Sequence, residues 1–198
     1  MTGMQLKVIA KRMKALDKVI NKLVFLDMDG VVVSNKTNDQ AICAWYGTST
    51  VEEAYKLREI RKKGGLYVPK FMGTNSSFDP AAVKYLNTLA NMGVQFVVTS
   101  TWRETQTIQS LSDIFEMKGL HIPIYSFTNV DSHERGQQIL NWLERAEARN
   151  TTAWCVVDDE SYGIANHVGD KLVLTNPDIG LNEEAYQRIC EILEQQEP

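Results

Sequence analysis

The sequence predicts an α/β fold: a parallel β-sheet covered by helices on both faces, with a small helical insertion after the first strand. Three observations predict it. The runs Leu23–Leu26, Val94–Val98 and Ala153–Val157 are almost continuously apolar rather than alternating, the pattern of strands buried on both faces. Helical patterns lie between these runs, and strands that alternate with helices pair in parallel through right-handed crossovers. Each run ends in aspartates or in threonine and serine at its carboxyl end, the edge where open α/β sheets place their ligands.

In chain order, residues 4–22 set Met4, Val8, Met13, Leu16, Val19 and Ile20 among basic residues, which predicts an amphipathic helix over 1–22 that packs on its own domain. The first strand follows. A polar segment and two helical stretches, Gln40–Tyr46 and Val51–Lys63, closed by Gly64-Gly65, mark residues 34–77 as an inserted cap that splits the core into 23–33 and 78–198. Asp79-Pro80, an N-cap followed by proline at the first helical position, opens a helix running to about Met92. After the second strand come a helix near Glu104–Met117, a strand near Ile122–Tyr125, and a helix opened by Asp131 with Glu134 completing a capping box. Ala153–Val157 is the third buried strand, Lys171–Leu174 a shorter one, and Asn182–Leu193 a closing helix. The sequence shows no internal repeat and no low-complexity tract.

At 198 residues and 43% hydrophobic the chain buries one substantial core, and one domain with an insertion fits this length better than two domains. A net charge of −4 disfavours tight binding to a long polyanion but leaves a small anionic substrate, held by a cation, accessible. Cys43, Cys155 and Cys190 are widely spaced, odd in number and without a CxxC pair, and read as reduced thiols. No apolar run approaches the roughly 20 residues of a membrane span, and the opening MTGMQLKVIAKRMK lacks a signal peptide's apolar block, which points to the cytoplasm.

The run Leu23-Val24-Phe25-Leu26-Asp27-Met28-Asp29-Gly30 delivers two aspartates, two positions apart, into a glycine turn. Side chains two apart in extended chain point the same way, so Asp27 and Asp29 face one reacting centre. The second strand ends Thr99-Ser100-Thr101-Trp102-Arg103, offering hydroxyls and backbone N–H groups to an anion. The third ends Asp158-Asp159-Glu160, acids that need a cation partner. In a parallel sheet these ends share one edge, so Asp27, Asp29, Thr99 and Asp158 converge. Asp27 is then a candidate nucleophile toward phosphorus, forming an aspartyl-phosphate. Asp29 is the candidate acid that protonates the leaving oxygen and the base that deprotonates the attacking water. Carboxylates beside a phosphate repel it, so a hard divalent cation with oxygen ligands is required, and Mg²⁺ fits. Asp27, the Asp29 carbonyl and the pair Asp158 and Asp159 are its candidate ligands; which of the pair binds directly stays open.

At these residues the chain resembles the haloacid dehalogenase (HAD) superfamily, in its phosphatase branch, from Lys22 to Leu193. Its DxDG motif is matched by Asp27-Met28-Asp29-Gly30, its strand ending in Thr or Ser by Thr99, and its acidic pair after a strand by Asp158-Asp159. Order, spacing and strand context together make the likeness specific. The family's third motif is a lysine, sometimes arginine, that balances charge on aspartate and phosphate. Here no lysine lies between Lys118 and Lys171, which leaves Arg135, in His133-Glu134-Arg135-Gly136, against the alternative of a solvated helix-terminus arginine. The phrases Thr99–Arg103, Arg135-Gly136 with Ile139 and Trp142-Leu143, and Asn176-Pro177 ahead of Gly180-Leu181 resemble the small HAD domain of RNA-repair and phage proteins. DMDGVVV and VVTS are similar to 5'(3')-deoxyribonucleotidases, which carry a small helical cap after the first motif. The resemblance implies a Rossmann-like three-layer sandwich and a Mg²⁺-dependent phosphomonoester hydrolase acting on a small phosphorylated substrate, a nucleotide. The alternatives are a 3'/5'-end phosphatase in RNA or DNA repair and a non-catalytic ligand- or partner-binding domain; oligomeric state is not legible.

Ser100 joins Thr99 as a phosphate-binding candidate, and Arg103 is either a phosphate clamp or a surface salt-bridge residue. Trp45, Tyr46, Tyr55, Tyr67 and Phe71 form the insertion's own small core or stack on a base. His121, His133 and His167 show no paired ligand spacing, which disfavours zinc.

Overall fold

The computed structural model describes residues 22–65, 77–145, 148 and 151–196, so the expected helix over 1–22, all but Lys22, lies outside the described residues. In chain order the elements are β1 (Lys22–Leu26), α1 (Asn35–Tyr46), α2 (Val51–Lys63), α3 (Pro80–Asn91), β2 (Gln95–Val98), α4 (Ile108–Met117), β3 (Ile124–Phe127), α5 (Arg135–Leu143), β4 (Ala153–Asp158), α6 (Ala165–Val168), β5 (Leu172–Leu174) and α7 (Glu183–Gln195). All strand pairs are parallel, in the order β3-β2-β1-β4-β5. The fold is the Rossmann-like α/β sandwich that the alternation of strands and helices predicts. No helix among the described residues is long and apolar enough to cross a membrane.

Successive residues of β1 point to opposite faces, and both faces are covered, which is why every residue of the strand after Lys22 is apolar and buried. Val24 and Leu26 meet Leu86 and Leu89 of α3, Leu111 and Phe115 of α4, and Ile189 and Ile192 of α7. Leu23 and Phe25 meet Ile139 and Trp142 of α5 and Ile164 and Val168 around α6. Phe25 and Trp142 make an edge-to-face pair with ring centroids 5.4 Å apart. A separate small cluster lies between α1 and α2, where Ile42 and Tyr46 of α1 pack on Ala54 of α2.

Element boundaries depart from expectation where tertiary contacts decide them. α1 begins at Asn35 rather than Gln40, because the Ser34 hydroxyl accepts from Thr37 N at 3.3 Å and caps a polar first turn. The expected capping box at Asp131 and Glu134 is not formed: α5 starts at Arg135 with no side-chain cap bond at Glu134. Its start is set instead by Gly136 N, which donates to Gly163 O at 2.8 Å, while Glu134 Oε2 turns to His167 Nε2 at 2.6 Å. A Cβ at Gly136 would lie 2.8 Å from Gly163 O, so glycine permits this close approach.

Asp79 occupies the expected N-cap position of α3 ahead of Pro80, but makes no side-chain cap bond. Its carboxylate accepts from Ser34 N at 2.7 Å, from Ser34 Oγ at 3.1 Å and from the Thr37 hydroxyl, while its own N–H donates to Val32 O. It thereby ties the start of α3 to the start of α1. Asp79→Ala strands three donors; a hydrogen bond to a charged group contributes about 1.5–3 kcal/mol, and because the three share one part-buried carboxylate and do not add, chemical denaturation is expected to show a loss of about 2–3 kcal/mol, with Asp79→Asn retaining part of it.

Candidate active site

The carboxyl edge of the sheet brings the predicted residues together. The ladder runs one residue past β1 on both sides: Asp27 N donates to Val157 O at 3.0 Å and Thr99 N to Leu26 O at 2.9 Å. Asp27, at the end of the central strand, therefore sits between Thr99 after β2 and Asp158 at the end of β4. This is also where the strand order reverses direction, the crevice that binds ligands in open α/β sheets.

Asp27 is 4% exposed, Thr99 0% and Asp158 0%. Carboxylate oxygens of Asp27, Asp158 and Asp159 lie within 4.8 Å of one another. Arg135, at the start of α5, reaches across this group: Nη1 donates to Asp158 Oδ2 and lies 3.5 Å from Asp27 Oδ1. The Ser100 hydroxyl and the Met28 backbone also hydrogen-bond the Asp27 carboxyl. Glu160 N donates to Asp158 Oδ1 at 3.0 Å. Asp159 lies directly over Gly30, whose φ of 74° and missing Cβ let the turn pass beneath that carboxylate.

Two features show what the site is built to receive. Among the described residues the buried Thr99 hydroxyl has no hydrogen-bond partner, a state that costs free energy until something polar arrives. The three carboxylates form an all-oxygen donor set beside that hydroxyl, suited to a hard divalent cation.

Electrostatics agree. Burial pushes the Asp27 carboxyl up to about 7, with Arg135 pulling it down and Asp158 pushing it up again. Burial also raises Asp158, Asp159 and Asp29, opposed by Arg135 at Asp158 and by the Trp102 indole at Asp29. A folded carboxyl that holds its proton to higher pH than the unfolded one stabilises the fold at low pH, and that contribution is lost as pH rises. In chelator, the melting temperature is expected to fall between about pH 4 and pH 7, and Mg²⁺ to raise it more at pH 8 than at pH 5; thermal denaturation with and without the ion measures both.

Arg103 departs from the phosphate-clamp expectation. Its Nη1 donates to the carbonyls of Thr99 and Ser100, and Nη2 donates to Gln138 Oε1 at 2.7 Å, so the fork braces its own loop. Burial and the nearby Arg135 charge hold its pKa below the usual arginine value. Sequence reasoning missed Gln138 and the role of Trp102, whose Nε1 donates to Asp29 Oδ2 at 2.9 Å. A tryptophan inside the Thr99–Arg103 phrase was the available signal. Among the insertion's aromatics, Tyr46 is buried in its small core while Trp45 and Tyr55 are 49% and 42% exposed; Tyr67 and Phe71 lie outside the described residues. Of the histidines, His167 pairs with Glu134 and His121 with Glu116.

The sequence profile described as the HAD domain in Swiss Army Knife RNA repair proteins matches residues 23–186. No curated protein matches the sequence. Among solved structures, a haloacid dehalogenase-like family hydrolase from Streptococcus pneumoniae is similar at 11% identity and a TM-score of 0.43, over 86% of this chain and 91% of that one.

Proposed function

The chain belongs to the family of HAD domains of Swiss Army Knife RNA repair proteins, and on that premise we propose that it is a Mg²⁺-dependent phosphomonoester hydrolase acting through an aspartyl-phosphate on Asp27. The observation that carries this reading is the cluster of buried Asp27 and Asp158 with half-buried Asp159, with ligand oxygens within 4.8 Å of one another and Arg135 across it. Asp27, Asp158, Asp159 and the Asp29 carbonyl would hold the ion, which supplies positive charge that offsets the repulsion between carboxylates and phosphate.

In the first half-reaction an Asp27 carboxylate oxygen attacks phosphorus as the bond to the leaving oxygen breaks, and Asp29 gives that oxygen its proton. In the second, Asp29 takes a proton from water as the water oxygen attacks phosphorus. The bond to Asp27 breaks and phosphate leaves. Thr99 and Ser100 donate to phosphate oxygens, and Arg135 balances the charge on Asp27 as the dianion approaches.

We read α1 and α2 as part of a cap over residues 34–77 that selects the substrate, a nucleotide in the first reading. A second reading, the phosphorylated end of an RNA or DNA strand, is favoured by the RNA-repair description of the family and by Arg58, Arg61, Lys62 and Lys63 on α2. Phosphate release with Mg²⁺ from nucleoside 5'- and 3'-monophosphates and from 5'- or 3'-phosphorylated oligonucleotides separates the two. Turnover of mononucleotides supports the nucleotidase, and turnover of oligonucleotides alone supports end repair. Silence on every substrate in a folded, Mg²⁺-binding protein overturns both in favour of a binding role.

A further inference from the structure

We propose that Trp102 is a positioning residue for Asp29, holding that carboxyl in the orientation from which it transfers its proton; the inference rests on the hydrolase reading above. Asp29 stands on the exposed side of the site, at the opening of the turn Asp29–Val33. A short side chain at such a position samples several rotamers unless it is tethered. The tether is the indole N–H of Trp102, 2.9 Å from Asp29 Oδ2 and supplied from 73 residues away in sequence.

The indole is itself fixed. Trp102 is 3% exposed in the single 3₁₀ turn Thr101–Glu104 that follows Thr99 and Ser100. Its ring lies against Phe78, with centroids 6.2 Å apart, and Phe78 packs edge-on against Phe115 at 5.7 Å. An anchor buried among aromatic rings thus meets a carboxyl at the mouth of the site. Phe78 immediately precedes Asp79, so the same ring contact ties Asp29 to the place where the chain returns from residues 34–77.

The chemistry of the donor gives the tether a direction. An indole nitrogen donates and never accepts, so it pairs with a lone pair on Oδ2 and leaves Oδ1 as the oxygen that carries the transferable proton. A hydroxyl would not impose this selection as firmly, since it rotates to either role. Loss of the N–H therefore removes an orientation while leaving the acid itself in place.

Leaving-group dependence separates this role from mere packing. A nitrophenolate leaves without a proton, whereas the alkoxide of a nucleoside 5'-monophosphate does not. Trp102→Phe keeps a large buried ring and removes the N–H. With the purified protein and Mg²⁺, kcat/KM on the 5'-monophosphate, which reports only the steps up to departure of the leaving group, is expected to fall roughly tenfold to hundredfold, the cost of a misplaced general acid. On p-nitrophenyl phosphate kcat/KM is expected to fall by no more than about threefold, while the later water step, where Asp29 is the base, slows equally for both substrates. Asp29→Asn should show the same selectivity more strongly, and adding Trp102→Phe to it should cost nothing further. Trp102→His, which retains a ring N–H, should recover part of the alkyl-phosphate rate and supplies the test if the Phe variant folds poorly. Equal losses of kcat/KM on both substrates, or no loss on the alkyl phosphate, would overturn the inference while leaving the hydrolase reading intact. Wild-type silence on both compounds would overturn the hydrolase reading and, with it, the inference.

Discussion

Asp27→Asn is expected to abolish phosphate release, by on the order of 10⁴-fold or more, while leaving the fold as stable as the wild type or more so. The activity loss follows because an amide oxygen does not form a phosphoryl intermediate that water then resolves. The stability follows from the surroundings. Asp27 is 4% exposed, and burial pushes its carboxyl up to about 7, so at pH 8 the cation-free protein holds an ionised group where a neutral one would sit better. The amide carbonyl still accepts from the Met28 backbone and from Ser100, and Arg135 keeps its bond to Asp158. Phosphate release from the substrate panel, paired with melting temperatures in chelator at pH 8, checks both halves. A variant that retains turnover would remove the covalent mechanism, and a variant that unfolds would mean that Asp27 is chiefly a structural group.

The parts of this site that were legible in sequence are those encoded by position along a strand. An apolar run buried on both faces announces β1, and the first polar residue after it must lie at the carboxyl edge, which placed Asp27, Thr99 and Asp158 side by side without knowledge of a single contact. Arg135 was reachable by resemblance and by the lack of a lysine between Lys118 and Lys171. What escaped is carried by contacts between distant residues. Asp79 reads locally as an N-cap, yet its carboxylate serves Ser34 and Thr37, more than forty positions away. The start of α5 at Arg135 depends on Gly163 O, to which no periodicity near Asp131 points. Arg103 carries the right chemistry for a phosphate, but the carbonyls of Thr99 and Ser100 and the side chain of Gln138 take its donors first. The start of α1 was hidden for a different reason: a polar first turn has no apolar stripe, and only Ser34 ahead of it signals a helix.

Arg135→Gln tests whether one cation organises the acidic group. Arg135 is the charged partner of both Asp158 and Asp27, with its side chain 20% exposed and theirs 0% and 6%. Removing it leaves two buried carboxyls facing each other, and breaking such a pairing from one side costs about 3–5 kcal/mol when the remaining charge is forced to stay. The carboxyls have an escape, since without the guanidinium both hold their protons to still higher pH. In chelator the loss of stability is therefore expected to be small at pH 5 and to grow toward about 3 kcal/mol at pH 8, where the unfolded chain ionises freely. Turnover is expected to fall roughly 10²–10³-fold, the usual consequence of deleting one charge that opposes the transition state's own. Arg135→Lys should recover most of the rate, because a compact ammonium at this place supplies the same charge, as the lysine does in the wider superfamily. Denaturation profiles at the two pH values and kcat/KM for the three proteins decide it. Should Arg135→Gln keep its rate, charge balance at Asp27 rests on the bound ion alone, and Arg135 is a cation that stabilises the empty site without taking part in the chemistry.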